Sequence, residues 1–318
     1  MVIPFRKRCE GRDRVQLSIA ELVPVAVASA RSWHVRLLWG LVILYAAVRV
    51  SQAYPDRIPM VAIVALHVLP PLLFALVHGV LTYGVRGIAV FTSLCVLIGN
   101  LSENVSILTG FPFGHYYFTD VMGPKLLQVP ILLGLAYIGI GYVSWTLASL
   151  IVGGPLTGHR VLTTPLVAAC VMVAWDLSMD PIWSNFVHGW VWHDGGSYFG
   201  VPISNFIGWY LTVYSIYQCH SLYLSRKAFE ATLDYWQSAI IFYAVSAAGN
   251  LLVAAPPAPV IHDATGTVWN VRSILTASAL VSIFVMGAFS LLAWIRAYNR
   301  YKKTQCAFLY CSAVSSRR

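Results

Sequence analysis

Apolar residues run along this chain in blocks too long for a soluble fold, and polar residues gather between the blocks. Eight runs reach spanning length: 34–52, 58–83, 87–109, 129–152, 161–182, 201–224, 235–255 and 273–295. A membrane-crossing helix needs about 20 predominantly apolar residues, because in lipid the backbone must satisfy its own hydrogen bonds. Pro, Gly or Trp stands at most of the run boundaries, as turns and membrane interfaces favour. The pattern predicts an all-α, polytopic integral membrane protein of about eight transmembrane helices. It divides into a tail over 1–33, an eight-helix membrane domain over 34–296 and a second tail over 297–318. Residues 22–30 end in Ala-Ser-Ala after a basic start, but Pro24 and Glu21 interrupt the apolar stretch. An interfacial helix is expected there rather than a cleaved signal peptide. No internal repeat of the inverted-transporter kind is visible.

Composition sharpens this picture. Of 318 residues, 58% are hydrophobic and only 10% charged, against about 25% charged in soluble domains. An ordinary soluble protein, a disordered chain and a disulfide-rich secreted module are excluded. The net charge of +9 does not point to nucleic acid, because the basic residues cluster at the two chain ends, as membrane-surface tails do. With eight spans both termini share one side. That side carries Arg6, Lys7, Arg8, Arg12, Arg14, Arg31, Arg86, Arg160, Arg226, Lys227, Arg296, Arg300, Lys302, Lys303, Arg317 and Arg318. The opposite loops carry Arg57, Lys125 and Arg272, while Arg36 and Arg49 fall inside the first run. The positive-inside rule then places both termini in the cytoplasm, of a bacterial plasma membrane or a eukaryotic endomembrane. The six cysteines form no C-x-x-C pair; Cys306 and Cys311 follow the last run and are palmitoylation candidates.

Three of the twelve acidic residues fall inside runs: Glu103, Asp176 and Asp180. Carboxylates are costly in lipid and mark function by default. Alternating span direction puts all three near the outer ends of their helices, and Asn205 at the same level. Asp176 and Asp180 stand four apart, so they share a helix face about one turn apart. Two like charges there resist joint ionisation, which leaves a held proton beside a carboxylate. General acid catalysis needs that pairing. Pro181 is expected to end the helix just beyond.

The outer loops over 110–128 and 183–200 are aromatic, Gly-rich and nearly free of cations. An aromatic lid over an acid site suits an apolar substrate that becomes a carbocation, since ring faces stabilise cations and exclude water. Aromatic belt residues at a membrane edge are the plainer account of part of this set. His67 and His78, eleven residues apart in the second run, are expected chiefly to satisfy buried partners. His115, His188 and His193 with Asp120 and Asp194 match no standard ligand spacing, so no metal is expected. Asn104-Val-Ser106 fits the glycosylation triplet but lies within a run. Two rival classes stay open. A magnesium-dependent prenyltransferase would use Asp176-x-x-x-Asp180, yet it needs further carboxylates and cations for a diphosphate. A transporter would use the carboxylates as a proton relay.

The stretch from Glu103 to Pro130 carries Thr109-Gly-Phe-Pro-Phe-Gly114, Tyr116-Tyr117 and Gly123-Pro124-Lys125. A second stretch carries Ala174-Trp-Asp-Leu-Ser-Met-Asp-Pro181, Trp190-x-Trp192, Gly200-Val-Pro202, Asn205 and Gly208-Trp209. In order and spacing these blocks resemble the membrane carotenoid 1,2-hydratase family of carotenoid biosynthesis proteins, which hydrate γ-carotene or bacterioruberin precursors. The resemblance implies a membrane enzyme, without cofactor, that adds water across the terminal double bond of an acyclic isoprenoid. Protonation gives a tertiary carbocation. Capture by water makes a hydratase, and capture by an internal alkene makes a terpene cyclase of a terpenoid or meroterpenoid pathway. The implied acidic positions are Glu103, Asp176 and Asp180, with Asn205 beside them. Asp176 is expected to donate the proton, Asp180 to be its charge partner, and Glu103 to orient water or take the final proton. Trp175, Trp190, Trp192, Tyr116 and Tyr117 are expected to line the cation, and His115 completes the substrate-binding candidates. The chain departs from the family pattern in Asn104-Val-Ser-Ile after Glu103, in the 183–199 insert and in the long basic N-terminal tail. These differences bear on the substrate.

Overall fold

The structure is a computed structural model that describes residues 32–54, 57–225 and 233–315. The basic tail with its expected interfacial helix over 22–30, and Arg226 and Lys227, lie outside these residues, as do the side chains of Cys306 and Cys311. The chain is mostly helical. Its helices are α1 (Ser32–Ser51), α2 (Met60–Leu94), α3 (Asn100–Thr109), α4 (Ile131–Val152), α5 (Arg160–Ile182), α6 (Ile203–Leu224), α7 (Leu233–Gly249), α8 (Val271–Leu280) and α9 (Gly287–Ser315). Among the described residues five helical stretches are long and apolar enough to cross a membrane: Trp33–Ser51, Ala62–Thr109, Ile131–Val152, Arg160–Val187 and Val271–Lys302. The expected runs at 201–224 and 235–255 are helical as α6 and α7 but fall outside that set. Helix α6 carries Asn205, Gln218 and His220, and α7 has 17 residues.

The stretch Ala62–Thr109 contains two of the expected runs. They meet at Gly84, whose φ of 69° breaks the helix. Only glycine holds that conformation without Cβ strain. A Cβ placed on Gly79 would lie 2.5 Å from the Ile88 side chain. In a straight helix, nine residues span about 13.5 Å, so the chain turns sharply back on itself at Gly84. A π-helical turn at Cys95–Gly99 then leads into α3. At the other end of the chain α9 continues through the expected C-terminal tail to Ser315, because no Gly or Pro follows Gly287 to stop it.

Helix α4 is the hub. It is apolar all round and buried over most of its length, as a helix surrounded by neighbours must be. It packs on α2, α5, α7 and α9, while α5 pairs with α6 and α1 with α2 and α7.

Pro181 does not end α5, contrary to the sequence expectation. The helix runs to Ile182 and continues as a π-helical turn over Trp183–Val187. A proline leaves the carbonyl four residues back without its donor. Here the Tyr198 hydroxyl donates to that carbonyl, Leu177 O, at 3.1 Å. Pro165 is handled the same way: Val161 O accepts from Ser221 Oγ at 2.9 Å and from Gln218 Nε2 at 3.3 Å. Side chains from outside the helix thus supply the donors that the prolines lack.

Candidate active site

Glu103 on α3 and Asp176 and Asp180 on α5 are all buried and line one cavity. Its walls also include Tyr116, Trp190, Trp192, Asn205 and Trp209. Three short networks set the chemistry of the acids. Glu103 accepts from two phenols: Tyr137 Oη reaches Oε1 at 2.6 Å, and Tyr116 Oη reaches Oε2. Asn205 Nδ2 bridges the pair on α5, donating to Asp176 Oδ2 at 3.2 Å and Asp180 Oδ2 at 2.6 Å. Trp190 Nε1 donates to Asp180 Oδ1 at 2.9 Å.

The consequence is an asymmetry between the two aspartates. Both oxygens of Asp180 accept hydrogen bonds, as do both oxygens of Glu103, and that suits the ionised form of each. Asp176 Oδ1 is buried without a hydrogen-bond partner. A buried carboxyl oxygen without a donor is costly unless it carries a proton or meets a bound molecule. Among the described residues no cation lines the cavity. Tyr116, outside the helices, has its phenol pushed well above the usual tyrosine range, first by burial and then by the Glu103 charge. It therefore stays a donor to Glu103.

The cover of the cavity is built from the two aromatic loops. Strand β1 (Tyr116–Phe118) pairs antiparallel with a strand at Trp190–Trp192, with Tyr116 opposite Trp192 and Phe118 opposite Trp190. Alternation along a strand sends successive side chains to opposite faces. Tyr116, Phe118, Trp190 and Trp192 face inward and are buried, and Tyr117 faces outward. The loop before β1 is pinned by Ser106 Oγ, which accepts from Phe113 N at 3.0 Å, and by Ser204 Oγ, which donates to Phe113 O at 2.8 Å. Gly208 on α6 permits this approach: a Cβ there would stand 2.8 Å from the Pro112 carbonyl oxygen and 2.7 Å from the Phe113 ring.

The structure thus brings Glu103, Asp176, Asp180, Asn205, Tyr116, Trp190 and Trp192 together. Trp175 lines a neighbouring cavity instead. Tyr117 and His115 stand outside both. Tyr117 is exposed against the His193 ring, and the exposed His115 meets Asp194, with Nδ1 3.0 Å from Oδ2. Asp120 faces Lys125 at 3.7 Å. Among the described residues no three His, Cys, Asp or Glu side chains converge as metal ligands. His78 holds Tyr142 Oη at 2.8 Å and the Tyr235 carbonyl at 3.0 Å, and His67 meets Arg49 Nη1 at 2.5 Å. Both histidines have buried partners. Sequence reasoning missed Tyr137 and carried Trp209 only within a matching block, not as a site residue; the two rings stack at 4.5 Å with 8° between planes. The available signal was a tyrosine near the outer end of a run, at the level of Glu103, because a buried phenol seeks an acceptor.

A helical bundle with several helices long and apolar enough to span a membrane, enclosing a carboxylate cluster under aromatic walls, fits a membrane protein. A family model described as carotenoid biosynthesis protein matches residues 59–269, a span that includes all three acids and both aromatic loops. That match covers more than half of the chain, and the chain belongs to the carotenoid biosynthesis protein family. Membership supports a role in carotenoid biosynthesis. No curated protein and no solved structure matches the chain.

Proposed function

We propose that the chain is a multi-pass membrane enzyme of eight spans, with both termini cytoplasmic, that protonates the terminal alkene of an acyclic isoprenoid and directs water onto the resulting tertiary carbocation. The observation that carries the reading is Asp176 Oδ1. It belongs to a residue lining an aromatic cavity, and it alone among the oxygens of the three acids has no donor on it. Asp176 gives its proton to the less substituted alkene carbon as the C–H bond forms. Asp180, held by Trp190 and Asn205, keeps a negative charge one helical turn away. Trp190, Trp192 and Trp209 offer ring faces to the cation. Glu103, held as an acceptor by Tyr116 and Tyr137, takes a proton from the attacking water as the C–O bond forms. The product is a tertiary alcohol, and proton transfer from Glu103 back to Asp176 resets the site. No cofactor enters this scheme.

A second reading is favoured by the apolar cavity beside the acid site. A chain folded there can present an internal alkene to the cation in place of water, which would make the enzyme a cyclase. Product mass decides between them. The full chain is expressed in cells that make lycopene, and its membranes are separately given prenylated phenols, in ordinary and heavy water. A gain of one water is the expected result. An isomer of unchanged mass carrying one solvent deuteron would replace hydration with cyclisation. Absence of product from every isoprenoid would refute both readings and favour a transporter.

A further inference from the structure

A second cavity lies against the acid cavity, and the two share Leu133, Met179 and Trp190 as common wall. Its remaining lining comes from α1, α2, α4, α5, the π-helical turn after α5 and Met122 of the outer loop, and is almost wholly apolar, with Val64, Val68, Ala136, Ile140, Trp175 and Trp183 among it. Among the described residues, His67 and Tyr45 are the ionisable side chains on that wall. The His67 ring nitrogens are occupied from behind: Arg49 Nη1 stands 2.5 Å from Nε2, and Gln52 Nε2 is at Nδ1. The edge of the imidazole meets the Trp183 ring at 5.2 Å. Arg49 in turn is buried, and its Nη2 donates to Ser246 O at 3.1 Å and to Asn250 Oδ1. The polar atoms of this cluster therefore tie α1, α2 and α7 together, and among the described lining atoms Trp175 Nε1 is buried without a hydrogen-bond partner. A lining this apolar favours hydrocarbon, because a polar group moved into it would give up its hydrogen bonds to water with an indole N–H to replace them.

We propose that this second cavity is the chain-binding subsite of the enzyme. The reacting end of the isoprenoid lies among the acids, and the next isoprene units pass the neck formed by Leu133, Met179 and Trp190 into the apolar cavity. The inference rests on the acid-site reading for the position of the reacting end. It adds where the chain beyond that end lies, and that Ala136 sets how much of it fits. Ala136 is the small residue on the α4 wall, so a larger side chain there takes up space directly.

Two experiments on the full chain test this. In the first, a long acyclic isoprenoid hydrocarbon carrying a diazirine several units from its reactive end is photolysed with the membrane-embedded protein, and labelled residues are mapped by mass spectrometry. Labels on Val64, Val68 or Ile140 are expected. Labels confined to exposed apolar residues such as Leu101 and Ile131 would overturn the proposal. This experiment needs no turnover, so labelled cavity residues without product from any isoprenoid would leave the subsite standing and remove the acid chemistry. In the second, Ala136→Phe is assayed with hydrocarbons of two and of six isoprene units. The expected result is a rise in KM of about tenfold or more for the long substrate, the scale of overpacking a filled site, and little change for the short one. Equal effects on both lengths, or none, would overturn the subsite while leaving the chemistry intact. Val64→Phe, on α2, repeats the test from the opposite wall should Ala136→Phe fail to fold.

Discussion

Replacing Asp176 by Asn separates the acid-site reading from a structural role for the carboxylates. The amide has the shape of the acid and no proton to give. Its oxygen can keep the hydrogen bond from Asn205 Nδ2, now 3.2 Å from Asp176 Oδ2. Its NH₂ then falls at the position of Oδ1, where no donor stands. The substitution opposes no hydrogen bond and lowers the charge the buried cluster can carry, so stability should change by less than about 1 kcal/mol. The chemistry should suffer much more. General acid catalysis contributes on the order of 10² to 10⁴ in rate, or about 2.7 to 5.4 kcal/mol at 1.36 kcal/mol per tenfold. Asp180→Asn is the control. Both of its oxygens accept, from Trp190 and Asn205, so an amide must set an N–H against one of those donors, at a cost of about 1 to 3 kcal/mol. The assay pairs product formation in membranes, read by mass spectrometry, with thermal unfolding followed by tryptophan fluorescence. Asp176→Asn should melt like the wild type and lose activity, while Asp180→Asn should also melt lower. An Asp176→Asn protein that keeps activity within threefold of wild type would refute the assignment of the proton donor.

Tyr137→Phe removes one of the two donors on Glu103. A hydrogen bond to a charged group is worth about 1.5 to 3 kcal/mol, so kcat/KM should fall about ten- to a hundredfold in the same product assay, and an unchanged value would remove Glu103 from the reaction. Tyr198→Phe exposes Leu177 O, the carbonyl stranded by Pro181. It should lower stability by about 1 to 3 kcal/mol in the fluorescence melt, and an unchanged melt would mean that another group serves that carbonyl. Tyr117→Ala alters a side chain that is 44% exposed on the outer face of β1. Both activity and melting should stay near wild type, within about 0.5 kcal/mol, and a large loss of activity would place Tyr117 at the substrate after all.

The helical nature of the chain was legible without a structure, because lipid leaves the backbone few choices. The alternating direction of runs led to the expectation that Glu103, Asp176, Asp180 and Asn205 share one level, and all four line one cavity. Helical periodicity likewise places Asp176 and Asp180 on one face of α5. What sequence reading could not supply depends on contacts between segments far apart in the chain. Whether Pro181 stops α5 depends on a hydroxyl 17 residues later, on Tyr198. Whether Tyr116 or Tyr117 faces the acids depends on the pairing of β1 with Trp190–Trp192, because shifting a strand by one residue exchanges its faces. Tyr137 becomes part of the site only because α4 runs through the centre of the bundle beside α3. The difference between two chemically identical aspartates also lies in the tertiary structure: Trp190 and Asn205 occupy both oxygens of Asp180 and leave one oxygen of Asp176 free. Sequence settles which chemical groups are present and which of them share a helix face, because those follow from composition and local periodicity. Hydrogen-bond partners and cavity walls are set by packing, and only the assembled bundle decides them.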